Sequence, residues 1–192
     1  MSKVELYKDV NNSLGEGITW SSIDQSLLWV DIKPKSVLFR INLDNEKLET
    51  FDLPDFVTAT SIISKNEIAL VSNNGVNKFN FQSEKYERII NVEDDIATNR
   101  SNDGACDAKG RLWFGTMDSL ERSVNNGSLY CLDTSLKLKK IDQNYLIANG
   151  PAFLDEKNFY HTDSRKKIIY KIKINKELKI IEKKIFIRFK SK

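Results

Sequence analysis

The chain has 192 residues, 40% hydrophobic and 10% aromatic, with three prolines, a composition that can pack a core and excludes a disordered polymer. No window approaches the roughly 18 apolar residues of a membrane helix, and the opening Met1-Ser2-Lys3-Val4-Glu5-Leu6-Tyr7-Lys8 has no apolar stretch, so a cytoplasmic protein with no membrane partner is expected. The net charge of +3 is unevenly spread, with twelve of the 30 basic residues in 165–192 against Glu177 and Glu182.

In chain order the strand-like runs fall into units of four. The first unit holds Gly17–Trp20, Leu27–Asp31, Val37–Ile41 and Leu48–Leu53. The second holds Thr58–Ile63, Glu67–Val71, Val76–Phe81 and Tyr86–Ile90. The third has Gly104–Asp107, Arg111–Gly115, Ser128–Leu132 and Leu136–Ile141, and the fourth Gly150–Phe153, Asn158–Thr162, Ile168–Ile172 and Leu178–Ile181. Asp44-Asn45, Asn73-Asn74-Gly75, Lys109-Gly110 and Asn125-Asn126-Gly127 supply turn residues between runs. Lys183–Lys192 reads as one more strand running into the terminus, and Val4–Lys8 as a strand that would close a ring of units against a last blade, which is expected to be absent.

The second run of each unit starts at residue 27, 67, 111 or 158, so the whole pattern recurs about every 45 residues. Four short strands per repeat is the pattern of a β-propeller blade. A β-sandwich accounts for strands every 8–12 residues but not for the recurrence of the unit. The expectation is an all-β, single-domain propeller over residues 1–192, with blades starting near 15, 57, 102 and 148. The basic end alternates Ile168-Ile169-Tyr170-Lys171-Ile172-Lys173-Ile174, which suits strand faces in water better than a nucleic-acid surface. Cys106 and Cys131 are expected as buried thiols. The single histidine, His161, excludes mechanisms that need two imidazoles, and no Gly-x-Ser-x-Gly supplies a serine nucleophile.

Blades repeat about an axis, so equivalent positions form a ring. Glu16, Asn102 and Asn149 each lie near a glycine just ahead of an innermost run, and Thr58 takes that place in the second unit. Any one of these is an ordinary turn; as a set they read as a site. A carboxylate and amide oxygens suit a hard cation such as Ca²⁺, Mg²⁺ or Mn²⁺. Arg100, read as part of a loop beside the ring, can donate paired hydrogen bonds to a polar substrate.

The same residues carry a family resemblance. Gly15-Glu16-Gly17-x-x-Trp20, Leu28-Trp29-Val30-Asp31-Ile32, Asn99-Arg100-Ser101-Asn102-Asp103-Gly104 with Asp107, Gly115-Thr116-Met117, Asn149-Gly150 and Thr162-Asp163-Ser164 resemble the senescence-marker-protein, gluconolactonase and luciferin-regenerating-enzyme family, which includes regucalcin. The resemblance implies a six-bladed propeller holding one divalent cation, Ca²⁺ first and Zn²⁺, Mg²⁺ or Mn²⁺ as alternatives. It implies Glu16 and Asn149 as metal ligands, and Arg100 and Asn102 as groups that hold the oxygens of a sugar lactone. Ile18 stands where the family usually has proline. The family's catalytic aspartate would lie beyond Lys192, so the last two blades are expected to be absent and lactone hydrolysis impaired. Two alternatives stay open: a non-catalytic module that self-associates through an open propeller edge, and a calcium-binding role like that of regucalcin.

Overall fold

A computed structural model describes residues 3–32 and 36–190. Among them are sixteen strands in four antiparallel sheets, each containing four consecutive strands. The first sheet is β1 (Gly15–Ser21), β2 (Ser26–Asp31), β3 (Val37–Asn42) and β4 (Leu48–Asp52). The second is β5 (Val57–Ile62), β6 (Glu67–Ser72), β7 (Gly75–Asn80) and β8 (Tyr86–Asn91). The third is β9 (Asn99–Cys106), β10 (Leu112–Asp118), β11 (Gly127–Leu132) and β12 (Leu138–Tyr145), and the fourth β13 (Ala148–Phe153), β14 (Asn158–Asp163), β15 (Ile168–Ile174) and β16 (Ile180–Arg188). No helix among the described residues is long and apolar enough to cross a membrane.

Successive sheets stack face to face, and each gap holds a core. Leu28, Val30 and Leu38 meet Ile68, Leu70 and Phe79 between the first two sheets. Ala69, Val71 and Val76 meet Phe114 and Tyr130 in the next gap, and Trp113, Leu129 and Tyr145 meet Phe159, Ile172 and Ile174 in the last. Alternation explains the division: in β6, Ile68 and Leu70 point one way and Ala69 and Val71 the other. A strand buried on both faces therefore reads as a continuous apolar run. The innermost strands follow side by side, β1 against β5, β5 against β9 and β9 against β13. The result is an open arc of propeller blades.

One turn recurs in every blade between its third and fourth strands. Asn42 Oδ1 accepts the N–H of Asp44 and Asn45, Asn80 Oδ1 those of Gln82 and Ser83, Asp133 Oδ1 those of Ser135 and Lys137, and Asn175 Oδ1 that of Lys179. Each turn has a left-handed residue: Glu46, Glu84, Leu136 or Leu178. These are Asx turns, in which the side chain stands in for a backbone acceptor.

Four sequence expectations change. The separate runs at 178–181 and 183–192 are one strand, β16, which completes the fourth blade; residues 191–192 lie outside the described residues. Val4–Lys8 forms no strand, and Val4 is 95% exposed. Cys131 is buried, but Cys106 is exposed at the end of β9 and accepts a hydrogen bond from Ser61 Oγ at 2.9 Å. Arg100 and Asn102 lie inside β9 rather than in a loop, because that strand starts at Asn99. His161 is fully buried edge-on to Tyr145, with ring centroids 4.7 Å apart.

Candidate functional site

The candidate residues sit where each innermost strand is irregular. Glu16 pairs with Val30 and Thr19 with Leu28, so Gly17 and Ile18 together oppose Trp29. In β5, Thr58 is the extra residue between the pairs Val57–Ser72 and Ala59–Val71. Asn102 and Asp103 together oppose Gly115, and Gly150 and Pro151 together oppose His161. An extra residue of this kind bends the strand and re-aims its side chains. All four blades carry one at the same end.

Pairing defines the ring more strictly than residue counting. Gly15, Val57, Asn99 and Ala148 each pair with the last residue of the neighbouring strand: Asp31, Ser72, Asp118 and Asp163. The next residue on each strand is Glu16, Thr58, Arg100 or Asn149. By register Arg100 takes the equivalent position in the third blade, while the Asn102 side chain reaches the ring residue Asn149 directly. Asn102 comes two residues later, in a bulge placed deeper along β9 than those of its neighbours.

Two of these strand ends are anchored alike. Asp31 accepts the N–H of Ser13 at 2.9 Å and of Leu14 at 2.8 Å, just ahead of Glu16. Asp163 accepts the N–H of Leu146 at 2.9 Å and of Ile147 at 3.3 Å, just ahead of Asn149. Both approach segments are thus pinned to a carboxylate of the adjacent strand.

Arg100, Asn102 and Asn149 form one hydrogen-bonded chain. Arg100 Nη1 donates to Asn102 Oδ1 at 2.8 Å, and Asn102 Nδ2 donates to Asn149 Oδ1 at 3.1 Å and to Ala148 O at 2.9 Å. Asn149 Nδ2 donates to Ser164 Oγ at 2.8 Å. The Arg100 guanidinium also lies 5.3 Å from the Phe56 ring centre.

Glu16 joins this group through charge. Burial raises its pKa and Asp103 raises it further, while Arg100 opposes both. Asp103 is itself raised by burial, against hydrogen bonds from the N–H groups of Gly150 and Gly104. Burial lowers the Arg100 pKa, and Glu121 and Glu16 act to restore it. Glu16 and Asp103 line a cavity of about 680 Å³ with Asn12, Trp29 and residues of the N-terminal segment. Arg100 lines a separate space of about 390 Å³ with Phe56, Asn99 and Glu121. Asn102 and Asn149 belong to neither lining.

The donor set fits a hard cation. Asn149 Oδ1 accepts one hydrogen bond, leaving a lone pair, and the Glu16 carboxylate accepts none from the described residues. Carboxylate and amide oxygens are the ligand types such ions take. No group of three or more His, Cys, Asp or Glu among the described residues could hold a metal ion by itself. Sequence reasoning missed Asp103. Its Asn-Asp-Gly context reads as a plain turn, and its role depends on a partner 47 positions away.

The fold and this polar group define an open β-propeller with a polar cluster on its innermost strands. The chain belongs to the SMP-30/Gluconolactonase/LRE-like family, whose sequence profile matches residues 14–192. It is 32% identical over 163 residues to an L-arabinolactonase of Azospirillum brasilense, covering 83% of this chain and 54% of that protein. It is 31% identical to regucalcin of Sus scrofa over 169 residues, or 84% of this chain and 56% of that one. Among solved structures, a luciferin-regenerating enzyme superposes with a TM-score of 0.84 at 28% identity, covering 93% of this chain and 62% of the other. Such structural relatives are six-bladed propellers. The chain spans 54–58% of the length of the first curated relatives it matches.

Proposed function

We propose that these blades carry the cation-binding and substrate-orienting part of a sugar-lactone hydrolase. The observation behind this reading is the continuous hydrogen-bonded chain from Arg100 through Asn102 to Asn149, with Glu16 lining a cavity together with Asp103, the residue next to Asn102. Glu16 and Asn149 are the residues that would hold a divalent cation, Ca²⁺ first. That ion, when bound, would supply Lewis-acid polarisation of an ester carbonyl. Arg100 and Asn102 would hold the hydroxyl and ring oxygens of the lactone, fixing the carbonyl for attack, a gain from positioning. The group that takes the proton from the attacking water is proposed to be an aspartate outside these four sheets.

Support for the substrate class comes from relatives named as L-arabinolactonase and 6-deoxy-6-sulfogluconolactonase, and for the ion from a structural relative titled a calcium-binding protein, regucalcin. The test is acid release from five- and six-carbon aldonolactones, with and without chelator. It compares this 192-residue chain with one extended by two further blades. The expected outcome is chelator-sensitive turnover by the extended protein, abolished by Glu16→Gln, and weak turnover by the 192 residues alone. Full turnover by the shorter chain would reject the assignment of the base to other blades. An extended protein indifferent to both chelator and Glu16→Gln would reject the reading altogether.

A second reading is favoured by the outer strand of the fourth sheet. Ile181, Ile185 and Phe186 are all about half exposed there, and β16 is an edge strand that can pair with a further strand. Under that reading the 192-residue chain is an assembly module. Sedimentation of a monodisperse monomer that unfolds cooperatively would exclude it.

A further inference from the structure

The bulge in β9 sends two consecutive side chains to the same neighbour. In a regular strand adjacent side chains point to opposite faces. Here Asn102 and Asp103 together oppose Gly115, and both reach β13. Asn102 holds Ala148 O and Asn149 Oδ1. Asp103 Oδ2 accepts the N–H of Gly150 at 2.7 Å, and its Oδ1 accepts the N–H of Gly104 at 2.8 Å. Gly150 has φ +91°, a conformation left to glycine, and it stands in the bulge that follows Asn149. Asn149 is therefore gripped on both sides: by Asn102 and Ser164 at its side chain, and by Asp103 at the next peptide.

We infer that Asp103 is a positioning residue that sets the orientation of Asn149 by holding the Gly150 N–H across the boundary between the third and fourth blades. The inference deepens the reading of Asn149 as a cation ligand and rests on it. A carboxylate is the fitting group. Two N–H donors converge on it, and an amide in its place has one acceptor oxygen and would leave one donor without a partner. Groups that orient a metal ligand in this way are worth about 10–100-fold in affinity or activity when removed.

The test compares Asp103→Asn with Asp133→Asn. Asp133 also accepts two N–H groups, those of Ser135 and Lys137, but in the turn between β11 and β12. Both variants lose the same kind of hydrogen bond, so both should melt a few degrees lower. Ca²⁺ alone, titrated by calorimetry, should bind Asp103→Asn about 10–100-fold more weakly and Asp133→Asn as it binds the parent chain. Amide exchange by NMR should speed up at Gly150 in Asp103→Asn while the β14–β15 ladder is unchanged. If the parent chain binds no Ca²⁺, the cation-site reading fails and exchange at Gly150 alone decides the clamp. Gly150 exchange at the parental rate in Asp103→Asn overturns it, as does parental Ca²⁺ affinity in that variant where the parent binds the ion.

Discussion

Asn102 Nδ2 donates to Asn149 Oδ1 across the boundary between the third and fourth sheets, at 3.1 Å. The bond joins two strands that are not partners in any sheet, so it reports how the blades are set against each other. Asn102→Ala removes it, together with the bond to Ala148 O, and leaves the Asn149 side chain held by Ser164 alone. The expected result is a 10–100-fold loss of divalent-cation affinity, measured by calorimetry. Ser164→Ala, which frees the other end of Asn149, should cost less because the Asn102 bond remains.

The same boundary depends on one close approach. A Cβ placed on Gly115 would stand 2.4 Å from Ala148 Cβ, directly between the bulge of β9 and the start of β13. Gly115→Ala must push the two sheets apart, with an overpacking cost of about 1–3 kcal/mol visible in a denaturant titration. Because Ala148 precedes Asn149, cation binding should weaken more than stability alone accounts for. The pair Gly115→Ala/Ala148→Gly should recover most of both.

The blades were legible because three gaps between sheets force both faces of a strand such as β6 to be apolar. That yields short hydrophobic runs bounded by turn residues, and their recurrence is visible without coordinates. The bulges were not legible. An extra residue is defined by the partner strand, and Asn102-Asp103 looks like a turn until Gly115 is known to face both. The extent of β16 was hidden by its exposure on both faces, which interrupts its apolar residues with lysines. Glu16, Asn102 and Asn149 could be picked out because a polar residue near a glycine recurs in three of the four repeats, and Arg100 because it lies two residues ahead of one of them; Asp103 shares that setting, but its backbone partners are a property of the fold.

His161 ties stability to pH. It is fully buried, and neither ring nitrogen has a hydrogen-bond partner among the described residues. Burial, with a contribution from Lys183, pulls its pKa down to about 4, against the opposing charges of Asp142 and Asp163. The unfolded chain takes up this proton near pH 6.5. Stability is therefore full above about pH 6.5 and falls as pH drops towards 4, where the unfolded state binds the extra proton; the whole loss is about 3 kcal/mol. His161→Phe should flatten that limb of the profile in urea titrations between pH 4 and 7. It should also be neutral or stabilising at pH 7, since two unpaired buried nitrogens disappear.

Asp163 offers a test of how the ring is held in place. Its carboxylate is fully buried, accepts the N–H groups of Leu146, Ile147 and Lys166, and lies 3.0 Å from Lys166 Nζ. Asp163→Asn keeps the shape but leaves part of this set unpaired. Hydrogen bonds to a charged group are worth about 1.5–3 kcal/mol, so the melting temperature should fall by roughly 5–10 °C for a chain of this size. Asp31 does the same work ahead of Glu16. If the two carboxylates act by pinning the approach to each ring residue, Asp31→Asn and Asp163→Asn should each weaken cation binding. Asp107→Asn provides the contrast. Asp107 accepts hydrogen bonds from Trp113 Nε1 at 2.9 Å and Arg111 Nε at 2.6 Å at the opposite end of β9. Its loss should lower stability comparably and leave the cation affinity unchanged. Equal losses of affinity in all three variants would show that the site responds to stability in general, and the pinning account would then fail.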